Sequence, residues 1–333
     1  MRPQGSSLSR DVAPDSQPEI TYYLSLGNSL ATGAQPVSGC RDCRPEDTNE
    51  GYTSQLYEMA RSRMPGLVHV NLACGGETAN WMIRGHGGEL PWCEYEHGTQ
   101  LADAIAFLST HVGQVAFVTI DIGGNDAALC AGLSPGTPPR EARSQAQPDL
   151  QTCMSRIAPD VRKIVPDLRA AAGPTTPIVG MNYYSPSLAM WLTGSEGQQR
   201  AALITDSIAV PFNVALEAAF ATGNAPVADV AGAFSTTDYT RTTDPLFGEV
   251  PLNGLRICQW TWQCSAGDLH PNREGYAVIA RAFASVLFKD PSEPQDIPRA
   301  EVNPSCQPHQ LASLLAAVAA PPCARRTRVT TWQ

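Results

Sequence analysis

The chain has 333 residues, 43% of them hydrophobic and 17% charged, with a formal net charge of −9 at pH 7. That length accommodates one large α/β domain or two smaller ones. The acidic balance speaks against a nucleic-acid partner, whose phosphates require clustered Lys and Arg, and no run of about 18 apolar residues reads as a membrane span, so no integral membrane association is expected.

Residues 1–19 are polar and contain Pro, which predicts a disordered N-terminal segment. They have no apolar stretch of the kind a secretion signal needs. After them, strand-like and helix-like segments alternate. "EITYYLSLG" (19–27) reads as a buried strand and "GYTSQLYEMARSRM" (51–64) has helical apolar spacing. "LVHVNLAC" (67–74) is a strand, "GTQLADAIAFLSTH" (98–111) a helix and "QVAFVTIDIG" (114–123) a strand. Residues 148–173 are helical, with Pro166 near the end and Gly173 as the stop. "TPIVGMNYYSP" (176–186) is a strand, and 198–223 form a long helix kinked at Pro211. "APVADVAGAF" (225–234) reads as a short strand, and 272–289 as the last strong helix, with Asn272 as its N-cap. Near-continuous apolar strands alternating with helices predict an α/β fold with a five-stranded, mostly parallel sheet covered on both faces. The predicted organisation is one domain over 20–290 and a Pro- and Ala-rich tail over 291–333. In that tail, "QLASLLAAVAA" forms a candidate helix between Cys306 and Cys323.

The ten cysteines fall as neighbours: Cys40/Cys43, Cys74/Cys93, Cys130/Cys153, Cys258/Cys264 and Cys306/Cys323. An even count at this density reads as disulfides formed in an oxidising, extracellular compartment, although sequence order alone does not dictate the pairing. The competing reading is zinc. Only one Cys-x-x-Cys is present, and no second pair follows it at finger spacing, so no metal is expected.

Four short stretches carry chemistry. "LGNSLATG" places Ser29 just past the first strand, where a helix is expected to start and to offer free N–H groups. "ACGGETAN" places Gly75 and Gly76 past the second strand, "DIGGNDAA" places Asn125 past the third, and "GDLHPNREGY" places His270 just before the last helix. In an open parallel sheet such strand ends are where sites form. A serine nucleophile needs a base, for which His is the usual choice, and a developing oxyanion needs donors such as a glycine N–H or an asparagine amide.

These blocks, in this order, resemble the SGNH, or GDSL, hydrolase family, and the cysteine pattern looks like that of its secreted actinobacterial members. The resemblance covers residues 22–280. It implies a flavodoxin-like three-layer α/β/α fold, no metal, no cofactor and a monomer. It also implies hydrolysis of acyl esters through an acyl-serine. On it, Ser29 falls on the nucleophile and His270 on the base. Gly76 and Asn125, with the Ser29 N–H, fall on the oxyanion hole. The family usually has an Asp three residues before its His. Here that position is Gly267, and the imidazole partner is expected to be Asp268, with a backbone carbonyl near Gly267 as the alternative. The second departure is Asn28, where the family usually has Asp. Asn caps a turn as well as Asp does, but losing a carboxylate beside Ser29 also removes a charge that would favour protonated His. Residual rather than absent activity is the expectation.

Other residues weigh less. His69, His86, His97, His111 and His309 sit at no matching block. Asp121 and Asp126 flank the third block and read as structural hydrogen-bonding groups. Trp81, Trp92, Trp260 and Trp262 read first as packing residues and second as lining of an acyl pocket. The expected protein is a secreted serine esterase or lipase acting on a small-molecule or lipid ester. Acyl transfer to, or deacetylation of, a carbohydrate or natural product is the neighbouring reading, and a non-catalytic binder the more distant one.

Overall fold

Side chains alternate across the strands, and this alternation builds the layers. The computed structural model describes residues 20–40, 43–130 and 154–288. The N-terminal segment, Cys153 and the tail with Cys306 and Cys323 lie outside them. In strand β1 (Thr21–Gly27), Leu24 and Leu26 enter one core cluster while Tyr23 enters the other. Strand β3 (Val115–Asp121) repeats the division, with Val118 and Ile120 on one face and Phe117 on the opposite one.

In chain order the elements are β1, α1 (Tyr52–Arg61), β2 (Leu67–Asn71), α2 (Ala79–Arg84), α3 (Gln100–Thr110), β3, α4 (Gly124–Cys130) and α5 (Ile157–Ala172). Then come β4 (Ile178–Met181), a 3-10 stretch Pro186–Thr193, α6 (Ser195–Ile204), a π-helical turn Thr205–Ala209, α7 (Val210–Ala221), β5 (Val227–Ala228) and α8 (Val230–Ala233). The antiparallel pair β6 (Arg241–Asp244) and β7 (Gly248–Pro251) leads to α9 (Leu252–Trp260), α10 (Gln263–Ala266) and α11 (Arg273–Leu287). Strands β1 to β5 form one parallel sheet in the order β2-β1-β3-β4-β5. This is a doubly wound arrangement, and its strand order reverses between β1 and β3.

One face of the sheet is covered by α3, α5 and α7 through Leu101, Leu108, Ile164, Leu168, Leu216 and Phe220. The other is covered by α1 and α11 through Tyr52, Leu56, Tyr276, Ile279 and Phe283. The Tyr52 and Phe283 rings stack at 4.8 Å, and the Tyr276 hydroxyl donates to Ala34 O at 2.9 Å. The beginning and end of the domain are therefore packed side by side.

The expectations fail in instructive places. The strand expected over 225–234 is only Val227–Ala228. Asp229 then accepts from Gly232 N at 2.8 Å and caps α8, so the local cap overrides the apolar run. Of the helix expected over 148–173, Ile157–Ala172 is helical and Gly173 is its C-cap, while residues 148–153 lie outside the described residues. The long helix is interrupted by the π-helical turn just before Pro211, which has no N–H to continue the ladder. By length and composition, Ser195–Ala221 is apolar enough to cross a bilayer, contrary to the reading of no such stretch. Its Phe212, Leu216 and Phe220 nevertheless pack into the core.

Candidate active site

Ser29 lies two residues past β1. The expected helix start is absent there, because α1 begins only at Tyr52. Instead the chain makes a compact turn in which the N–H groups of Ala31 and Thr32 donate to Asn28 O and Ala34 N–H donates to Ser29 O. Gly33, at φ +70°, and then Pro36 stop it from propagating. The turn leaves Ser29 partly exposed while Asn28 and Leu30 are buried.

His270 reaches this turn from the far end of the chain. Its Nε2 lies 2.9 Å from Ser29 Oγ, and its Nδ1 lies 2.7 Å from Asp268 Oδ1. Asp268 also accepts the His270 backbone N–H at 2.8 Å, so one carboxylate fixes both the ring and the main chain. Burial raises the Asp268 carboxyl, but the hydrogen bonds and charge of His270 outweigh this and hold it below its usual range. The loop is itself anchored. Trp262 N–H donates to His270 O at 3.0 Å, Tyr184 OH donates to Leu269 O at 2.8 Å, and a disulfide joins Cys258 to Cys264. Asn272 accepts from Gly275 N and caps α11, as its sequence position predicts.

The glycines and Asn125 converge on the same corner. Cys74 N–H donates to Gly27 O at 3.1 Å, which brings the Gly75-Gly76 turn alongside β1's end. A Cβ on Gly75 would lie 3.9 Å from Ser29 Cβ. Gly76 has φ +95°, a conformation glycine adopts without strain. Asn125, in the first turn of α4, donates from Nδ2 to Glu77 O at 2.9 Å, joining the third block to the second.

Beneath these groups lies a buried polar shell in which Asp121 and Asp126 are the structural hydrogen-bonding groups the sequence indicated, while Gln100 and Glu77 were missed. Gln100 clamps the end of β1: its Oε1 accepts from Gly27 N at 2.7 Å, and its Nε2 donates to Gly27 O at 3.0 Å. Glu77 is fully buried, accepts from Tyr95 OH at 2.9 Å, and is pushed up to about 7 by burial. Asp126 accepts from Ala79 N at 2.8 Å and is raised to about 6 by burial. Asp121 is fully buried as well. Burial pushes it up to about 8 although Tyr52 OH and the backbone N–H groups of Asn28 and Ala31 stabilise its charged form. Tyr52 OH donates to its Oδ1 at 2.8 Å and Asn28 N–H to its Oδ2 at 3.4 Å. The signal for Asp121 is a carboxyl at the last position of a buried strand, as in "VTID". Its partners are too distant in sequence to be read locally.

A polar cleft of about 190 Å³ is lined by Asp47, Asn71, Cys74, Gly75, Trp92 and Tyr95 among others, and of these Gly75 lies next to Ser29. Trp92 Nε1 donates to Gly75 O at 3.0 Å, the Arg44 guanidinium lies 4.7 Å above the Trp92 ring, and a disulfide joins Cys74 to Cys93. Trp260 packs edge-on against Phe234, and Trp262 Nε1 donates to Gln35. Trp81 lies on α2, along a second cleft with Asp126 and Leu129. His69 bonds Ser25 Oγ at 2.8 Å, stacks on Tyr23 and is lowered to about 4 by burial, as fits a core histidine. His97 pairs with Asp103, His86 lies near Cys93 O, and His111 stacks on Phe107. His309 lies outside the described residues. Disulfides also join Cys40 to Cys43. Among the described residues no group of three His, Cys, Asp or Glu side chains has a metal-binding arrangement.

The sequence profile of the GDSL-like Lipase/Acylhydrolase family matches residues 25–278. No curated protein is significantly similar to the chain. Among solved structures, the chain is similar to an acetylxylan esterase from Geobacillus stearothermophilus at 15% identity and TM-score 0.45, covering 81% of this chain and 95% of that one. An extracellular lipase from Streptomyces rimosus matches at 15% identity and TM-score 0.46, covering 80% and 99%. A GDSL-like lipase from Parabacteroides merdae, described as putative, matches at 13% identity and TM-score 0.48, covering 81% and 97%.

Proposed function

The chain belongs to the GDSL-like lipase/acylhydrolase family, and we propose that it is a serine esterase that hydrolyses acyl esters through an acyl-serine intermediate. The observation that carries this reading is the unbroken chain from Ser29 Oγ to His270 Nε2, and from His270 Nδ1 to Asp268. A serine hydroxyl is a weak nucleophile until a base receives its proton. His270 takes that proton as Oγ attacks the ester carbonyl carbon, and Asp268 keeps the ring in the tautomer that leaves Nε2 free to accept. The N–H groups of Ser29 and Gly76 and the Asn125 amide receive the negative oxygen of the tetrahedral intermediate. When the intermediate collapses, His270 returns the proton to the departing alcohol. A water then attacks the acyl-serine, His270 accepts its proton, and the acid leaves as Ser29 recovers its hydrogen.

A binder that had lost its chemistry would not need this alignment, which favours the enzyme. The several disulfides fit an extracellular location, and a small-molecule or lipid ester acted on by a monomer completes the reading. The test combines a fluorophosphonate probe with a chain-length series of p-nitrophenyl esters, on the parent and Ser29→Ala. Labelling confined to Ser29, with turnover lost in Ser29→Ala, is the expected result. Folded parent protein that resists the probe and hydrolyses no ester would favour the binder. The ester hydrolysed fastest then reports the acyl length.

A further inference from the structure

We propose that Asp121 is a positioning residue for the nucleophile: it holds the turn that carries Ser29 and takes the place of the carboxylate that position 28 lacks. This rests on the reading of Ser29 as the nucleophile. Three observations carry it. The first is register. Gly27 and Asp121 are paired across the parallel β1–β3 ladder, each the last residue of its strand. A Cβ on Gly27 would collide with the Asp121 carboxyl, so that carboxyl occupies the space the glycine leaves. The second is hydrogen bonding. Asp121 Oδ2 accepts the N–H of Asn28, the residue before Ser29, while Oδ1 accepts from Tyr52 OH at 2.8 Å. Tyr52 is fully buried and belongs to α1, which packs against α11. One carboxyl thus ties the serine turn to the layer that also supports the start of the His270 helix.

The third observation concerns Asn28 itself. Its Nδ2 donates to Asp121 O at 3.2 Å and is 3.4 Å from Tyr183 OH, while its Oδ1 accepts from Leu30 N at 3.1 Å. An aspartate would keep the bond from Leu30 and could accept from Tyr183 OH, but it would lose the bond to Asp121 O. It would set an acceptor against the Asp121 carbonyl and bury a second carboxyl beside the first, where one proton or one counter-charge would have to be shared. Asn28 and Asp121 are therefore a matched pair. The site accommodates one carboxyl, and in this chain it sits at the end of β3 rather than at position 28. Asn28 is then a complement to Asp121 rather than a sign of lost function.

The experiment measures fluorophosphonate labelling of Ser29, kcat and KM on a short p-nitrophenyl ester, and the unfolding midpoint. It uses the full chain and its variants Asp121→Asn, Asn28→Asp, the double variant and Tyr52→Phe. A parent that does not label refutes the proposed function itself. Given a parent that labels, Asp121→Asn is expected to slow labelling and kcat at least tenfold with KM within twofold. Asn28→Asp alone is expected to lose activity as well, and adding it to Asp121→Asn to recover part of what that change lost. A purely structural role would lower the unfolding midpoint without this split or this recovery. Folded Asp121→Asn that labels within twofold of the parent overturns the inference, as does Asn28→Asp with higher turnover than the parent. If Asp121→Asn does not fold, Tyr52→Phe decides. Slower labelling at an unchanged KM supports the inference, and unchanged labelling overturns it.

Discussion

Replacing Asp268 with Ala removes one carboxylate that makes two bonds, to His270 Nδ1 at 2.7 Å and to His270 N at 2.8 Å. The pair is mostly shielded, with side-chain exposures of 12% for His270 and 20% for Asp268. A hydrogen bond of this charge-assisted kind is worth about 1.5–3 kcal/mol when it strengthens in the transition state. That corresponds to a loss of about 10- to 150-fold in kcat. Freeing the ring to turn, or to take the wrong tautomer, moves the expectation toward the upper end. KM should change little, because Asp268 does not meet the substrate. The assay is steady-state hydrolysis of a short p-nitrophenyl ester, with circular dichroism to confirm the fold and active-site titration to count working sites. A folded Asp268→Ala protein that loses less than about tenfold in kcat would refute the assignment. It would mean that the loop's backbone anchors alone hold His270.

Three further outcomes are expected. Asn125→Ala should lower kcat by about 10²–10³ with a small change in KM, since the amide acts on charge that develops only in the transition state; equal losses in kcat and 1/KM would point to ground-state binding instead. Raising the pH should lower stability. Asp126, Glu77 and Asp121 are lifted by burial to about 6, 7 and 8, so the unfolded chain releases these protons first. Their stabilising contribution is complete below about pH 4 and is lost as pH rises toward about 8. The unfolding midpoint should fall between pH 5 and 8, and one that rises across that window would count against these burial effects. Replacing Cys258 and Cys264 together with Ser should cost about 2 kcal/mol through the freed loop, read as a drop of about 5 °C in unfolding midpoint. It should lower kcat more than it raises KM, because the His270 loop loses an anchor; a midpoint shift with unaltered kcat would show that the loop holds without the bridge.

The sequence made the layered sheet legible because its signals are local. Alternating Tyr23, Leu24 and Leu26, the helical spacing in "YTSQLYEMAR" and the Asn272 cap each work over a few residues, and each appears where its pattern put it. The four chemical blocks were legible through their order along the chain and their resemblance to a family, and the fold brings Ser29 and His270 into hydrogen-bond contact. Two things were not. Short caps such as Asp229 overrule an apolar run that looks like strand. The meaning of Asn28 depends on Asp121, 93 residues away, and on Tyr183, 155 residues away. The helix expected at Ser29 failed because Gly33 and Pro36 end the turn after one winding, a stop already present in the sequence but outweighed by the expectation of a regular strand-to-helix connection.

The contact between His270 and Ser29 spans 241 residues, and Tyr276 reaches back to Ala34 across 242. At ribosomal speeds of about 5–20 residues per second, the serine emerges about 10–50 s before its base does. On the proposed mechanism, Ser29 is without its base throughout that interval, and turnover waits until the last helix has docked against the first. Activity would then report on the completeness of the whole domain, and a fragment cut short before α11 is expected to be inert even where the rest of the sheet had formed.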